Sequence, residues 1–415
     1  MSLGMTVATA TTSVQNVKVQ QRYPWNGLVD IDYEIVSDSP DTTDFYVYFT
    51  VKDNDLNVSL SPRTITGDGA VDMAVKKGTH RVTWNMQADA PTLHSSALSA
   101  TVYASTAIPY MVIDLSGGPD ATSYPVRYSA TPPDLNDDTC RTTELWLRFI
   151  QPGTFMMGSP TNEVGRTNPV VSVSTALDET LHQVTLTQPY YMGVFEVTQK
   201  QWMLVTGTNP SAYAGDTRPV DGASYNTIRG TVNGAAWPNN GQVDATSFMG
   251  ILRAKTSVAL DLPTEAQWEY SCRAGTSTAL NNGKNLIVAT TDANMSLVGR
   301  YDGDTSDGKG GYSQHTKVGS YQPNMWGLYD MHGNLWEWCL DSYAVYSAGP
   351  AIDPLGATSG NRIIRGGSFG DDASACRSAC RYAGNPNSQY IDIAVGYGDK
   401  ILRIGLRVVA LPAIQ

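Results

Sequence analysis

The sequence predicts two domains of different fold class. Residues 1–108 are expected to form an all-β sandwich of the immunoglobulin or fibronectin kind, and residues 139–415 an α+β, loop-rich domain. Two observations support this division: short alternating segments fill the first hundred residues, and a few capped helices lie among Gly- and Asn-rich stretches after Cys140. Between them, residues 109–138 contain Ser116-Gly-Gly-Pro119 and Thr131-Pro-Pro-Asp134, which is typical of a linker.

The N-terminal prediction depends on segments in which apolar and polar residues alternate. Residues 28–35 place Val29, Ile31, Tyr33 and Ile35 on one face and acidic side chains on the other, as in a half-buried strand. About seven such segments in roughly 100 residues, separated by turn residues, favour a sandwich. No cluster of catalytic residue types accompanies them, so we interpret this domain as a structural spacer.

Composition and charge exclude several classes of function. The chain has 415 residues, of which 41% are hydrophobic and 16% charged, and its formal net charge is -11. Binding to nucleic acid or to an anionic membrane surface needs a basic face, which such a chain does not offer. No stretch reaches the roughly 18 apolar residues of a membrane span. Residues 1–20 lack the pattern of a signal peptide, so we interpret them as a mature or truncated start.

Three helices are predicted in the second domain. Capping boxes at Thr198-Gln-Lys-Gln201 and Thr264-Glu-Ala-Gln267 start two of them, which should end at Gly207 and Gly275. The third should begin at Asp244 and run to about Lys255. The hundred and more residues that follow show almost no periodicity. Loops of that length are usually functional or held by ions or bridges.

Six motifs of the second domain occur in one order and carry a resemblance. They are Gly153-Thr-Phe-Met-Met-Gly-Ser159, Val194-Phe-Glu-Val-Thr-Gln199, Leu262-Pro-Thr-Glu-Ala-Gln-Trp-Glu-Tyr270, Gly327-Leu-Tyr-Asp-Met-His-Gly-Asn-Leu-Trp-Glu-Trp338, Arg365-Gly-Gly-Ser368 and Gly405-Leu-Arg407. Residues 140–411 therefore resemble the formylglycine-generating enzyme, or sulfatase-modifying factor, family. The resemblance implies a C-type-lectin-like fold with little regular secondary structure.

The same resemblance implies a site with two cysteines that hold Cu(I). At the two family positions this chain has Asp371 and Cys376, beside a matching Ser368. Cu(I) prefers soft thiolates, and a carboxylate is a hard oxygen donor, so copper is not expected to bind. If the chain were active, the catalytic residues would be Ser368, Cys376 and Cys380, with a spacing between the thiols that differs from the family pattern by one residue.

Disulfide bonds are implied for the other family cysteine positions. The preferred pairing is Cys272 with Cys380 and Cys339 with Cys376, leaving Cys140 as an unpaired thiol. Because disulfides persist in oxidising compartments, this pairing points to a secreted or cell-surface protein.

Calcium is the cofactor that the resemblance favours. The side chains of Asp330 and Glu337 and the carbonyls of Gly333 and Leu335 are the implied ligands, and hard oxygens of this kind suit Ca²⁺. A second family site would start at Asn294 and the Met295 carbonyl, with further ligands from about Asp307 onward. Solvated loop charges are the alternative interpretation at both places.

The last loop has the composition of a binding surface. Residues 369–400 are rich in Tyr, Asn, Ser, Gly and Asp, which give contact area and adaptable hydrogen bonds in binding loops. The predicted ligand-binding residues are Phe369, Asp371, Tyr382, Asn385, Asn387, Tyr390 and Tyr397. A protein or carbohydrate ligand is expected, and an ordinary turn-rich loop is the alternative.

Three hypotheses of function follow. The first is a non-catalytic, calcium-stabilised ligand-binding protein on this family's scaffold. The second is a copper oxidoreductase of the formylglycine-generating type that acts on a sulfatase cysteine. The third is a variable ligand-binding receptor of a diversity-generating retroelement, since some proteins on this scaffold vary in the same terminal region. Copper binding separates the second hypothesis from the others.

Overall fold

The computed structural model describes residues 11–412 except 56–57, 61, 91–92, 94, 167–177, 232–242, 303–313, 358 and 390–402. The chain divides into two compact units, Met1–Pro109 and Tyr110–Gln415. Both units consist mainly of β-strands with few helices.

In its described residues, the first unit contains two antiparallel sheets and one short helix. Its elements are β1 (Thr12–Gln21), β2 (Leu28–Ser37), β3 (Tyr46–Asp53), β4 (Val58–Leu60), β5 (Ile65–Gly67), β6 (Gly78–Asn85), the short helix α1 (Met86–Asp89) and β7 (Leu98–Ser105). The sheet orders are β1-β2-β6-β5 and β4-β3-β7. Val29, Ile31, Tyr33 and Ile35 of β2 are all buried in the core of this unit, as the alternating pattern predicts. The all-β class is thus confirmed, while the immunoglobulin-like topology stays a prediction.

The second unit combines three sheets with five helices among the described residues. The strands are β8 (Tyr110–Asp114), β9 (Val126–Ser129), β10 (Glu144–Ile150), β11 (Gly153–Met157), β12 (His182–Leu186), β13 (Tyr190–Gly193), β14 (Leu260–Asp261), β15 (Trp336–Ser342), β16 (Ala351–Ile352), β17 (Arg362–Arg365), β18 (Arg381–Gly384), β19 (Ile404–Gly405) and β20 (Val409–Ala410). The helices are α2 (Thr139–Thr142), α3 (Gln199–Thr206), α4 (Tyr225–Arg229), α5 (Phe248–Thr256) and α6 (Glu265–Arg273). The sheet orders are β14-β20-β13-β10-β8-β9, β11-β12-β16 and β18-β17-β15-β19.

The segment 109–138 is not the linker that its glycines and prolines indicate. Strands β8 and β9 lie within it, and β8 pairs with β10 from Tyr110 opposite Arg148 to Asp114 opposite Glu144. The reason is the apolar run at 110–113, whose side chains are buried in the second unit. Turn residues therefore separate two strands of this sheet and do not mark a domain boundary.

The capping boxes predict helix starts correctly. Thr198 and Thr264 are the N-caps of α3 and α6, and each forms the complete reciprocal box. The start predicted at Asp244 is wrong, because Ser247 caps α5 by accepting from the Gly250 N–H. The Asp244 carboxylate instead accepts from the Thr246 N–H in the preceding turn. The short helices α2 and α4 were not predicted.

One apolar core fixes the strand that carries the site. It joins Trp268 and Cys272 of α6 to Cys339 of β15 and Ile363 of β17. Strand β15 lies between β17 and β19, so Trp336 and Glu337 at its start are held from both sides.

Candidate functional site

A group of buried polar side chains, which we call the Asp371 pocket, forms where β17 ends. Gly366 and Gly367 have φ of 100° and 73°, and a Cβ on Gly367 would lie 2.5 Å from the Cys376 Sγ. Only glycine permits both this backbone and this close approach. The turn places Ser368 and Asp371 side by side, each at most 5% exposed.

The Asp371 carboxylate is held by two neutral donors and by an ion pair with Arg403. The Ser368 hydroxyl donates a hydrogen bond to Asp371 Oδ2, and the Trp336 indole N–H donates to the same oxygen at 2.9 Å. Arg403 Nη1 lies 3.7 Å from Asp371 Oδ1 and donates to the Gly370 carbonyl at 2.7 Å. This carboxylate is therefore fully engaged within the fold.

Cys376 faces this pocket as a protonated thiol. It is completely buried, and its Sγ lies 4.0 Å from the Ser368 carbonyl oxygen. Burial, and then the nearby Asp371 charge, raise the pKa of Cys376 well above its usual range. Burial likewise raises the pKa of Cys380 to about 12. Since the thiolate is the metal ligand and the nucleophile, both thiols would have to lose a proton before they could act as either.

The disulfide prediction is wrong in this structure, since all five cysteines are free. Cys272 is enclosed by the Met331 carbonyl and the Ser378 hydroxyl, each 3.6 Å from its Sγ. Cys339 lies in the core of α6 and β15. The thiols are packed in separate surroundings, and so neither Cys272–Cys380 nor Cys339–Cys376 is formed.

The predicted ligand-binding residues separate into two groups. Phe369 and Tyr382 are only 3% and 8% exposed, because their rings pack against Tyr213 and Trp336, respectively. They are core residues, which corrects their assignment to a surface. Asn385 and Asn387 are exposed. Tyr390 and Tyr397 lie outside the described residues.

The two exposed asparagines belong to an anchored turn. Asn385 Oδ1 accepts from the Asn387 N–H at 2.9 Å, and the Pro386 carbonyl accepts from the Asn226 N–H of α4 at 3.1 Å. Their amide groups are thus presented on a turn that is fixed to a helix.

The loop predicted to bind calcium has an unusual backbone. Asp330, Gly333 and Asn334 have φ of 56°, 74° and 62°, a left-handed conformation that is uncommon outside glycine. Asp330 Oδ2 accepts from the Gly319 N–H at 2.6 Å, whereas the buried Oδ1 has no hydrogen-bond partner among the described residues.

The other predicted carboxylate ligand, Glu337, is already engaged. Its Oε2 accepts from the Trp268 indole N–H and its Oε1 from Arg407 Nη2, both at 2.8 Å. Arg407 also donates to the Gly193 and Tyr329 carbonyls, so this guanidinium ties the loop to the neighbouring strands.

A third carboxylate, Glu196, was missed by the sequence analysis. It is fully buried, and its Oε1 accepts from the Leu335 N–H at 3.1 Å. Burial, and then repulsion from Asp330 and Glu337, raise the pKa of Glu196 well above its usual range. Burial raises the pKa of Asp330 to about 6. We call Glu196, Asp330, Glu337 and Arg407 the carboxylate cluster.

The second predicted calcium site has its oxygens partly occupied. The Met295 carbonyl accepts from the N–H groups of Val298 and Gly299 at 3.0 and 3.2 Å, and the Asn294 side-chain amide donates to the Asn285 carbonyl at 3.0 Å. Asp307 lies outside the described residues. Across the described ranges, no group of three or more His, Cys, Asp or Glu side chains converges as in a metal site.

Comparison with known proteins identifies the scaffold. Residues 134–396, well over half of the chain, match the family described as the sulfatase-modifying factor enzyme 1-like domain. The chain belongs to this family. The resemblance that the six motifs carry is therefore confirmed.

Relatives within the sulfatase-modifying factor family include enzymes. The formylglycine-generating enzyme of Mus musculus is 31% identical over 175 residues, which are 41% of this chain and 47% of that protein. The formylglycine-generating enzyme of Thermomonospora curvata is 30% identical over 178 residues, 41% of this chain and 59% of that protein. The chain spans about half the length of the curated relatives it matches.

A solved structure also resembles this sulfatase-modifying factor domain. Treponema denticola variable protein 1 matches with a TM-score of 0.46 and 23% identity, covering 65% of this chain and 96% of that one. Within the described ranges, no helix has the length and apolar character needed to cross a membrane.

Proposed function

We propose that this protein is a non-catalytic, calcium-stabilised ligand-binding protein on the sulfatase-modifying factor scaffold. The observation that carries the proposal is Asp371, which stands at the first copper-cysteine position that the resemblance implies. Its carboxylate is bound by Ser368 and Trp336, so it cannot replace a thiolate for a soft ion.

The remaining thiol supports the same conclusion. Cys376 is buried and protonated, and one protonated sulfur does not make the near-linear pair of soft ligands that Cu(I) prefers. An oxidoreductase built on Cys376 and Cys380 would need to ionise two thiols whose pKa values burial raises.

The ligand is proposed to be a protein or a carbohydrate that meets the turn at Asn385 and Asn387. Exposed amides on an anchored turn offer hydrogen bonds at a small entropic cost, since the backbone is already ordered. Secretion or cell-surface display is part of this proposal, although the five free thiols remove the disulfide argument for it.

Calcium is proposed to bind at the loop around Asp330. The carboxylate cluster has three acidic groups and one arginine, all at most 2% exposed, so a divalent cation would neutralise it. Asp330 Oδ1 is a buried oxygen that has no hydrogen-bond partner in the described ranges, and an oxygen of this kind suits a hard ion. Asp330 with the Gly333 and Leu335 carbonyls would hold the ion, and Glu196 and Glu337 would add negative charge.

A Cu(I) titration of the reduced chain tests the non-catalytic proposal. We expect no stoichiometric site in the parent and a new one in Asp371→Cys, which restores a five-residue spacing to Cys376. Asp371→Ser is the matched control, since it changes the same position without adding sulfur. A tight single site in the parent would replace this proposal by the copper oxidoreductase.

A further inference from the structure

We propose that the turn between β1 and β2 inserts into the surface of a lipid bilayer whose headgroups are zwitterionic and carry no net charge. Residues 23–27 of this turn, the aromatic tip, include Tyr23 and Trp25, which are 98% and 44% exposed. In the described ranges, no other Phe, Trp or Tyr side chain is exposed. Single exposed apolar residues are ordinary, but two aromatic ones at one turn indicate a binding surface. The tip belongs to the first unit, so its role does not depend on the calcium and ligand proposals for the second.

The aromatic tip is held in one conformation by hydrogen bonds of its backbone. The Arg22 N–H donates to the Leu28 carbonyl at 3.1 Å across the base of the turn. The Leu28 N–H donates to Asn26 Oδ1 at 3.1 Å, and the Gly27 carbonyl accepts from the Gln87 N–H at 3.3 Å. An ordered turn loses little conformational entropy on binding. Because these backbone groups are already paired, the cost of taking them out of water is small.

The charge of the tip and of the chain selects uncharged headgroups. The tip reads Tyr-Pro-Trp-Asn-Gly and contains no Asp, Glu, Lys, Arg or His. The adjacent Arg22 is paired with Asp30, its Nη2 lying 2.8 Å from Oδ1 and its Nε 3.0 Å from Oδ2, so its charge is balanced within the fold. Anionic headgroups attract basic segments, whereas this chain has a net charge of -11. An anionic bilayer would therefore repel the protein, and a zwitterionic one would not.

The exposure of Tyr23 favours a lipid surface over a sugar ligand. A sugar ring stacks on one face of an aromatic side chain whose other face is covered by the protein. Tyr23 is 98% exposed and has no covered face, so a sugar would shield one side of it only. The interfacial layer of a bilayer surrounds an inserted ring on all sides. Tyr and Trp are enriched in this layer because each combines an apolar body with a polar group.

Co-sedimentation of the full chain with phosphatidylcholine vesicles tests this inference. We expect the parent to bind, and Tyr23→Ser and Trp25→Ser should each weaken binding at least about tenfold, because each removes one of the two inserted rings. Met73→Ser is the matched control, since Met73 is 57% exposed in the same unit but outside the tip, and it should leave binding unchanged. Vesicles that contain phosphatidylserine should bind the parent more weakly, most of all at low ionic strength.

Tryptophan fluorescence gives a second measurement. Trp25 is one of nine tryptophans, so the difference between the parent and Trp25→Phe, which keeps an aromatic ring and should still bind, isolates its emission. With phosphatidylcholine vesicles this emission should shift to shorter wavelength. Absence of vesicle binding by the parent, or binding that both serine variants retain, would overturn the proposal. A shift caused by a neutral oligosaccharide such as cellohexaose, with none caused by vesicles, would also overturn it and assign the tip to a carbohydrate.

Discussion

The Asp371 pocket and the carboxylate cluster are both buried and both acidic, yet their carboxylates are satisfied in different ways. Asp371 receives two neutral donors, Ser368 and Trp336. Among the described residues, Asp330 keeps one oxygen without a hydrogen-bond partner, and burial raises its pKa to about 6. The comparison shows that Asp371 has its hydrogen-bond donors within the fold and needs no ligand. The carboxylate cluster, in contrast, contains more negative charge than Arg407 can balance.

The largest loss of folding stability should come from removing the Arg407 guanidinium. Arg407→Met leaves the buried Glu337 without its cation, and breaking a buried ion pair in this way costs about 3–5 kcal/mol. Urea unfolding in calcium measures the loss. Arg127→Met is the control, because Arg127 of the Arg127–Glu144 pair is exposed and the pair should contribute about 1 kcal/mol or less. Equal losses in the two variants would show that the cluster does not depend on Arg407.

The next effect concerns His332, which connects the two regions. Its Nδ1 lies 2.7 Å from the Cys376 carbonyl oxygen in the pocket, and its Nε2 accepts from the Asn281 N–H at 3.0 Å. These bonds fit a neutral ring, and burial lowers the pKa of His332 from 6.5 to about 4.

Folding stability should therefore fall as the pH drops from about 6.5 to about 4, because the unfolded chain then binds a proton that the folded chain does not. The loss should be on the order of 3 kcal/mol. Unfolding of the parent and of His332→Gln at several pH values isolates this contribution, since other groups titrate in both. If the free energy of unfolding depends on pH in the same way in both proteins, His332 does not contribute to the pH dependence.

Calcium should stabilise the protein by a slightly smaller amount, and it should stabilise only the second unit. A hundredfold excess over the dissociation constant stabilises the folded state by about 2.7 kcal/mol. In calorimetry, a chelator should lower the unfolding temperature of residues 110–415 and leave that of residues 1–109 unchanged. Asp330→Asn should abolish the shift, while the control Asp302→Asn, at an exposed position, should keep it. No movement of either transition would contradict the calcium proposal.

Local signals predicted parts of this fold well. The capping boxes at Thr198 and Thr264 involve side chains three residues apart, and both helices start where expected. The alternation in β2 likewise depends on neighbouring residues. The start of α5 was misplaced because Asp244 and Ser247 are both good caps and only packing decides between them. The turn-rich composition of 109–138 likewise concealed β8 and β9, because only the pairing of β8 with β10 shows that residues 110–114 form a strand.

The contacts that define the site could not be read from the chain alone. Glu196 meets Leu335 across 139 residues, and Arg407 meets Glu337 across 70. Both Glu196 and Arg407 lie in the family motifs, so a search for charged residues there could have found them. The disulfide prediction failed because position in a family pattern does not report how each thiol is packed.

The central claim is that the Asp371 pocket does not oxidise cysteine. Mass spectrometry of a cysteine-containing sulfatase peptide, incubated with the parent chain, copper and oxygen, tests this most directly. Because Asp371 is bound by Ser368 and Trp336 and Cys376 stays protonated, we expect the cysteine to remain unchanged. Conversion of that cysteine to formylglycine by the parent chain would contradict the claim.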